Sequence, residues 1–306
     1  MPPERFDHFM ARANAAYYAR GQFGQDFVTA PEITQVFGEL LGAWAKIVWQ
    51  MLGAPEDIIL AEAGPGRGVL MADALRVWPM SNVHFIETSP ALRAEQKSRV
   101  PQAHWHDSLA TIPAGPMILL ANEFLDALPV RQFIRRETGW MERFVEQQCY
   151  VEQLTDYNLP DDPVGSVREV NEAALDFCQA LAARKAVGLF IDYGPANSAA
   201  GESVQAIHNG AYADPLTTLG NADLTAHVDF AAIKRVVNTQ GPVKQNHFLT
   251  SLGLYQRSDR LAQRHPNKAM DLRLSVQRLT APEAMGSLFK VLAVCPPDLP
   301  LLPGFE

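Results

Sequence analysis

A chain of 306 residues that is 47% hydrophobic and 20% charged has enough apolar material for one large domain, or a domain with a sizeable elaboration, and is no small disulfide scaffold. Its net charge of -8 argues against a generally basic surface built to hold nucleic acid. Three widely spaced cysteines, Cys149, Cys178 and Cys295, point neither to a disulfide framework nor to a zinc site.

The opening Met1-Pro2-Pro3-Glu4-Arg5 lacks the layout of a secretory signal, and Glu4 and Asp7 count against a transit peptide. No apolar run approaches the ~18 residues of a membrane helix, so a cytoplasmic protein without membrane insertion is expected. Residues 1–50 read as an N-terminal helical lid segment. From Pro31, apolar residues at 33, 36, 37, 40, 41, 44, 47 and 48 form the stripe of a buried helix face, with Thr29 or Ala30 ahead of it. Phe37, Trp44 and Trp49 read as core.

Ile58 to Glu62 is a short apolar run ending in a glycine-rich turn, and Val69 to Trp78 then has helical spacing. Val83 to Glu87 predicts a second strand, Ala91 to Arg99 its helix, Ala103 to His106 a third strand and Met117 to Asn122 a fourth. Alternation of apolar strands with helices predicts an α/β fold, with a mostly parallel sheet covered on both faces. Val130 to Arg136 and Trp140 to Val145 flank Glu137-Thr138-Gly139 as an antiparallel hairpin. Asn171 to Arg184 reads as a helix and Val187 to Asp192 as a fifth strand. A loop-like stretch to about Asp223, helices around Phe230 to Val237 and Phe248 to Leu252, and a late edge strand over Phe289 to Val294 complete the reading. The expected organisation is one domain over 51–306, with inserted substrate-binding elements at about 130–186 and 195–250.

Glu62-Ala63-Gly64-Pro65-Gly66-Arg67-Gly68 ends a buried strand and opens a helix, where bare backbone and a helix N-terminus can approach a ligand. The dinucleotide fingerprint wants glycine or alanine where Val69 stands, which disfavours NAD. The G-x-G-x-G form suits S-adenosylmethionine, which has no pyrophosphate. Glu62, Gly64, Pro65, Gly66 and Gly68 are the cofactor-binding candidates of the turn. Glu87, 23 residues after Gly64, ends the second strand, where a carboxylate can accept both ribose hydroxyls. Asp107 closes the third strand, where it could meet the adenine amino group. His104 and His106 share a strand face, but no third metal ligand is evident.

The segments Asp26-Phe27-Val28-Thr29-Ala30-Pro31-Glu32, Glu62 to Gly68 and Asn122-Glu123-Phe124-Leu125-Asp126-Ala127-Leu128-Pro129 resemble the mitochondrial complex I assembly factor family. These are class I, Rossmann-like, S-adenosylmethionine-dependent protein arginine methyltransferases with bacterial relatives. The likeness continues through Ile191-Asp192-Tyr193-Gly194, Ala222 to Phe230 and Gly241 to Leu249, and so covers nearly the whole chain. Gln25 stands where the family usually has glycine, and the segment ahead of Tyr17 looks short. The resemblance implies methylation of an arginine on a complex I (NADH:quinone oxidoreductase) subunit. An alternative is a cofactor-binding assembly factor or chaperone that holds such a subunit with little or no turnover.

A guanidinium is charged at working pH and its lone pair is delocalised, so carboxylates that grip it through paired hydrogen bonds would localise charge and aim one nitrogen. Glu123 and Asp126 follow the fourth strand three residues apart, on one face of a helical turn, with Asn122 beside them. Asp126 could instead cap a helix or pair with a structural arginine. Asp26 and Thr29 could close over the cofactor, or Thr29 could cap the first long helix. Asp223, Thr225, His227 and Asp229 form a polar cluster readable as turn and cap chemistry, within which His227 could accept a proton or touch substrate.

Overall fold

In the computed structural model, which describes residues 2–20 and 28–306, the apolar runs become the middle of a seven-stranded sheet. Its strands are β1 (Ile59–Ala63), β2 (Val83–Ile86), β3 (His104–His106), β4 (Met117–Asn122), β5 (Val187–Tyr193), β6 (Thr239–Lys244) and β7 (Phe289–Val294). They lie side by side in the order β3-β2-β1-β4-β5-β7-β6. The pairings from β3 through to β5 are parallel, whereas β7 runs antiparallel to both its neighbours, so the sheet is mixed. Every residue of β1 and β4 is buried, because helices cover both faces, and such strands read as unbroken apolar runs.

The covering helices follow from the same pattern. Around the sheet lie α2 (Ala30–Ile33), α3 (Gln35–Met51), α4 (Val69–Val77), α5 (Pro90–Arg99), α6 (Glu172–Ala183) and α7 (Phe230–Val236), while α1 (Phe6–Ala19) belongs to a separate core. On one face Phe37, Leu41 and Trp44 of α3 and Met71 of α4 pack on Leu60, Phe85 and Ile118. On the other, Leu181 of α6 and Phe230 of α7 meet Ile59, Leu119 and Phe190. A Cβ at Gly38 would come within 2.7 Å of the Asp73 Cβ, and one at Gly42 within 2.5 Å of the Ala74 carbonyl. Two glycines one turn apart thus let α3 lie against the backbone of α4, which fixes the glycine-rich turn in front of α4.

Four sequence expectations change. The helix from Pro31 divides at Thr34, whose backbone is extended and whose hydroxyl accepts the Val36 N–H at 3.3 Å. Thr34 is therefore the side-chain cap, and Thr29 makes no capping bond. Apolar spacing continues across the break, so periodicity could not register it. Second, β7 is not an edge strand: β6 lies outside it, with a register shift at Gly241-Pro242. A proline is tolerated on an edge but disguises the strand as a turn.

Third, the stretch before Asp223 holds a small antiparallel sheet, with Gln205–His208 between Ala211–Ala213 and Asp223–Thr225. Strands of three or four residues are too short to show an alternating pattern. Fourth, the hairpin forms with Arg136 opposite Gly139 but belongs to a larger antiparallel sheet that also takes in Glu4–Arg5, Cys149–Leu154 and Val167–Val170. Phe6, Phe9, Met10 and Ala13 of α1 pack between these two smaller sheets, against Val130, Val145 and Leu224. Asn14 fastens the helix by donating to the Ala127 and Leu224 carbonyls at 3.0 and 2.8 Å. Among the described residues, no helix is long and apolar enough to cross a membrane.

Candidate active site

The parallel strands β1, β2, β4 and β5 all end toward one crevice, and strand order reverses between β1 and β4, the place where open α/β sheets bind ligands. The turn after β1 holds Gly64, Gly66 and Gly68 at φ of 63°, 51° and 78°, a left-handed run that glycine alone adopts without strain. A Cβ on Gly64 would lie 2.9 Å from the Phe124 ring, so the turn runs hard against the segment after β4. Behind it, Thr29, Glu62, Pro65 and Asn122 border a small void. Glu62 is 2% exposed, its Oε2 has no hydrogen-bond partner, and burial pushes its carboxyl up to about 8. The Asn122 Oδ1 is likewise buried and unpartnered.

In front of the turn lies a cavity of about 510 Å³ bordered by Gly64, Gly66, Glu87, Glu123 and, from α1, Asn14 and Tyr18. Glu87 is held in place by the Ser89 N–H at 2.8 Å and the Gln96 amide at 3.1 Å, and burial raises its pKa. The same Gln96 amide donates to the Gly66 carbonyl at 2.7 Å, while its oxygen accepts from the Trp105 indole at 2.8 Å. Gln96 is fully buried and clamps the turn to Glu87. Sequence reading missed it, since one glutamine in the polar run Pro90–Arg99 gives no burial signal. Asp107 stands at the cavity rim with its side chain 80% exposed, paired with Arg93 at 2.6 Å.

The segment after β4 is more constrained. Glu123 has φ of +52°, uncommon for a residue with a side chain. The backbone N–H groups of Phe124, Leu125 and Asp126 all donate to one carboxylate oxygen of Asp192, at 3.2, 2.9 and 3.3 Å. Asp192, at the end of β5, thereby sets the direction of the Glu123 and Asp126 side chains. Its place in Ile191-Asp192-Tyr193-Gly194, where a buried strand ends in a carboxylate, was the signal available in the sequence.

Glu123 accepts from the Asn122 amide at 2.9 Å and the Ala30 N–H at 3.4 Å, and burial is the main reason its carboxyl rises to about 7. Asp126 is 4% exposed and its Oδ1 has no hydrogen-bond partner. Burial, and then the charges of Asp192, Glu123 and Asp223, push its pKa well up. Among the described residues it caps no helix and pairs with no arginine, while the Tyr193 side chain hydrogen-bonds its carboxyl. A second cavity of about 220 Å³ is bordered by Asp126, Tyr193, Asp223 and Thr225, and it shares Tyr18 and Glu123 with the first. Glu123 stands where the two meet.

His227 is not with them. It borders neither cavity, is exposed, and sets its ring edge-on to Tyr193 with centroids 5.5 Å apart. Asp229 caps α7 through the Ala232 N–H. On the sheet edge, His84 bonds His106 at 2.8 Å; among the described residues no group of metal-binding side chains forms. Asp26 and Gln25 lie outside the described residues.

The family model for S-adenosyl-L-methionine-dependent methyltransferases (Methyltransf_28) matches residues 40–248, which include the glycine turn, Glu87 and the Glu123–Asp126 segment. The chain belongs to that family. It is an enzyme, and S-adenosylmethionine is its cofactor. This methyltransferase is similar to "Protein arginine methyltransferase NDUFAF7, mitochondrial" of Danio rerio, at 30% identity over 335 residues covering 91% of this chain and 79% of the relative. The Homo sapiens protein of that name is 29% identical over 340 residues, covering 93% of this chain and 77% of its own. A COG1565 superfamily member from Burkholderia thailandensis, crystallised with S-adenosyl-homocysteine, shares the fold, with a TM-score of 0.85 at 24% identity and coverage of 99% and 89%.

Proposed function

We propose that this methyltransferase modifies a guanidinium nitrogen of an arginine in a protein partner, and that the partner is a subunit of respiratory complex I, NADH:quinone oxidoreductase. The observation that carries the reading is Glu123, a carboxylate near neutrality at the junction of two cavities. The curated relatives named as protein arginine methyltransferases support the same substrate class. A cytoplasmic, class I Rossmann-like enzyme is part of this reading, with the lid confined to the segment ahead of α3, because Phe37, Leu41 and Trp44 make α3 part of the core.

The residues around the larger cavity fit S-adenosylmethionine. Gly64, Gly66 and Gly68 present backbone without Cβ atoms, in a turn closed by Pro65. The unpartnered Glu62 Oε2 is an acceptor suited to the amino-acid ammonium, and its raised pKa falls when that cation arrives. In this reading Glu87 accepts the ribose hydroxyls and Asp107 meets the adenine, supported by their place on the border of the larger cavity, and Thr29 closes the void behind the turn. When bound, the cofactor supplies a methyl group on a sulfonium: a nitrogen–carbon bond forms as the sulfur–carbon bond breaks, and the bonding pair stays on sulfur.

The chain does the rest. Glu123 accepts hydrogen bonds from the guanidinium, aims one nitrogen and takes the proton that nitrogen loses on methylation. Asn122 holds Glu123 in place through its amide, and Asp126 is the second carboxylate. Incubating the enzyme with methyl-labelled S-adenosylmethionine and the large hydrophilic quinone-site subunit of complex I is expected to place label on arginine, read by mass spectrometry of the digested subunit. Label on another residue type, or none, would overturn the reading.

Gln96 offers a separate check on the cofactor site. Gln96→Ala removes both its bond to Gly66 and its bond to Glu87, which frees the turn and the carboxylate to move independently. S-adenosylmethionine affinity should fall about tenfold, equivalent to one to two kcal/mol. Calorimetric titration measures this, and unchanged affinity would show that the clamp plays no part in binding.

A further inference from the structure

Two further helices, α8 (Leu254–Arg264) and α9 (Ala269–Thr280), pack side by side and take no part in the chemistry above. Between them runs a cleft of about 460 Å³, with Leu272 and Val276 among its apolar walls and Tyr255, Asp259 and Arg273 on its border. Ser258 also lines the cleft; it is 6% exposed, and its hydroxyl has no hydrogen-bond partner. A serine or threonine within a helix commonly returns its hydroxyl to the carbonyl one turn back, as Ser275 and Thr280 do to Asp271 and Val276 at 2.7 and 2.8 Å. Leaving a buried hydroxyl unpaired is unfavourable unless an incoming group completes it. Beyond the cleft, Met270 and Leu274 stand one turn apart on α9, 63% and 56% exposed.

Charge narrows the occupant. Residues 254–280 carry six Lys and Arg against two Asp, a net +4 within a chain of net -8. Arg257 is paired with Glu39 at 2.8 Å, but Arg260, Arg264, Lys268, Arg273 and Arg278 are exposed and meet no carboxylate among the described residues. A small molecule would fill the cleft and leave Met270 and Leu274 uncovered. A lipid chain offers nothing to Ser258, and a second copy docked about a two-fold axis would set like charge against like. We propose that this cleft docks an acidic segment of the protein partner, with an apolar side chain between the helices, a polar group on Ser258 and carboxylates over the flanking Arg and Lys. The proposal rests on the reading that the substrate is a protein. Ser275 of α9 also donates to the carbonyl of Ile33, the last residue of α2, and Ala30, the first, donates to Glu123. The short helix α2 therefore lies between the docking face and the reacting carboxylate, which lets one partner engage both.

The full chain, loaded with S-adenosylhomocysteine, is titrated calorimetrically with two probes. One is the large hydrophilic quinone-site subunit of complex I; the other is a synthetic helical peptide of leucine and glutamate, which has the required chemistry whatever the natural partner. Each is expected to saturate one site, more weakly as salt rises, whereas a leucine–lysine peptide should not bind. Ala269→Trp, which fills the cleft, and Arg273→Glu, which reverses an exposed charge on its border, should each weaken both probes about tenfold and spare S-adenosylhomocysteine. Lys234→Glu, the same change of charge on the exposed side of α7, should alter neither. In turnover, the two cleft variants should raise KM for the intact subunit about tenfold, with kcat and the methylation of a short arginine peptide unchanged.

Failure of the glutamate peptide to bind, or equal affinity for it in the wild type and both cleft variants, would overturn the docking surface. So would a wild-type dimer in sedimentation, or binding to phosphatidylglycerol vesicles, that Ala269→Trp abolishes, since the face would then serve a second copy or a membrane. Peptide binding at the cleft without subunit binding would keep the acidic docking surface and overturn that subunit as the partner. Subunit binding weakened in the cleft variants, with no methylarginine formed by the wild type, would keep the surface and remove the proposed reaction. Methylarginine formed on the intact subunit with the same KM by all variants would keep the reaction and remove the surface.

Discussion

Glu123→Gln is expected to lower methyl transfer by about 10²–10⁴-fold, the usual contribution of a positioned general base. S-adenosylmethionine affinity should stay within a few-fold, because the glycine turn and Glu87 are untouched. The amide keeps the shape and the hydrogen bond to Asn122 but can neither carry charge nor take a proton. Wild-type kcat/KM should rise with pH up to about 7 and then level, since the carboxyl must be ionised to accept the proton and burial has raised it to that range. Below that point each unit of pH should cost about tenfold. Asp126 and Asp192 share the buried cluster, so the limb belongs to the group as a whole. In Glu123→Gln the residual transfer should follow a changed limb, set by the carboxyls that remain; transfer within a few-fold of wild type would take the base role away from this residue.

Gly66→Val should abolish detectable cofactor binding, a loss of at least about 10²-fold or ~2.7 kcal/mol. Two effects act together. A β-branched side chain is a genuine outlier at φ of +51°, and the Gly66 carbonyl must keep its bond to Gln96 if Glu87 is to stay in register. The strain of about 1–3 kcal/mol is smaller than the stability of an ordinary domain, so the chain should remain folded with a lowered Tm. Gly201→Ala is the matching control, since a Cβ there would meet nothing within 4 Å. Binding and melting measured on both variants decide the matter: unaltered affinity in Gly66→Val would remove the turn from the site.

The larger cavity was readable in outline because parallel α/β sheets send the ends of their strands to one edge. Apolar runs that end at Glu62, Glu87 and Asn122 already name residues on the two sides of the glycine turn, Glu87 in the cavity before it and Glu62 and Asn122 at the void behind it, with no contact information needed. The same logic could have named Asp192, which ends the fifth apolar run; its task of holding three successive amides becomes visible only when β5 lies beside β4. His227 shows the limit from the other side. Its polar neighbours suggested chemistry, yet the backbone after Thr225 turns its ring outward onto Tyr193 and away from both cavities.

Sequence by itself therefore determined the strands of the parallel core, the bare turn after β1 and the carboxylates that end its neighbours, because each is written in local periodicity or in a residue type that a backbone conformation demands. The tertiary structure decided which distant groups share a space. Tyr18 reaches the site because α1 is packed between two small sheets, and Asp223 shares a cavity with Asp126 because its strand is fastened there by Ala226 N–H to the Asp126 carbonyl and by the Tyr193 hydroxyl to Thr225. Gln96 is buried because α5 closes on the turn. These placements depend on chain segments returning to one another across long separations, and short-range periodicity carries no record of that return.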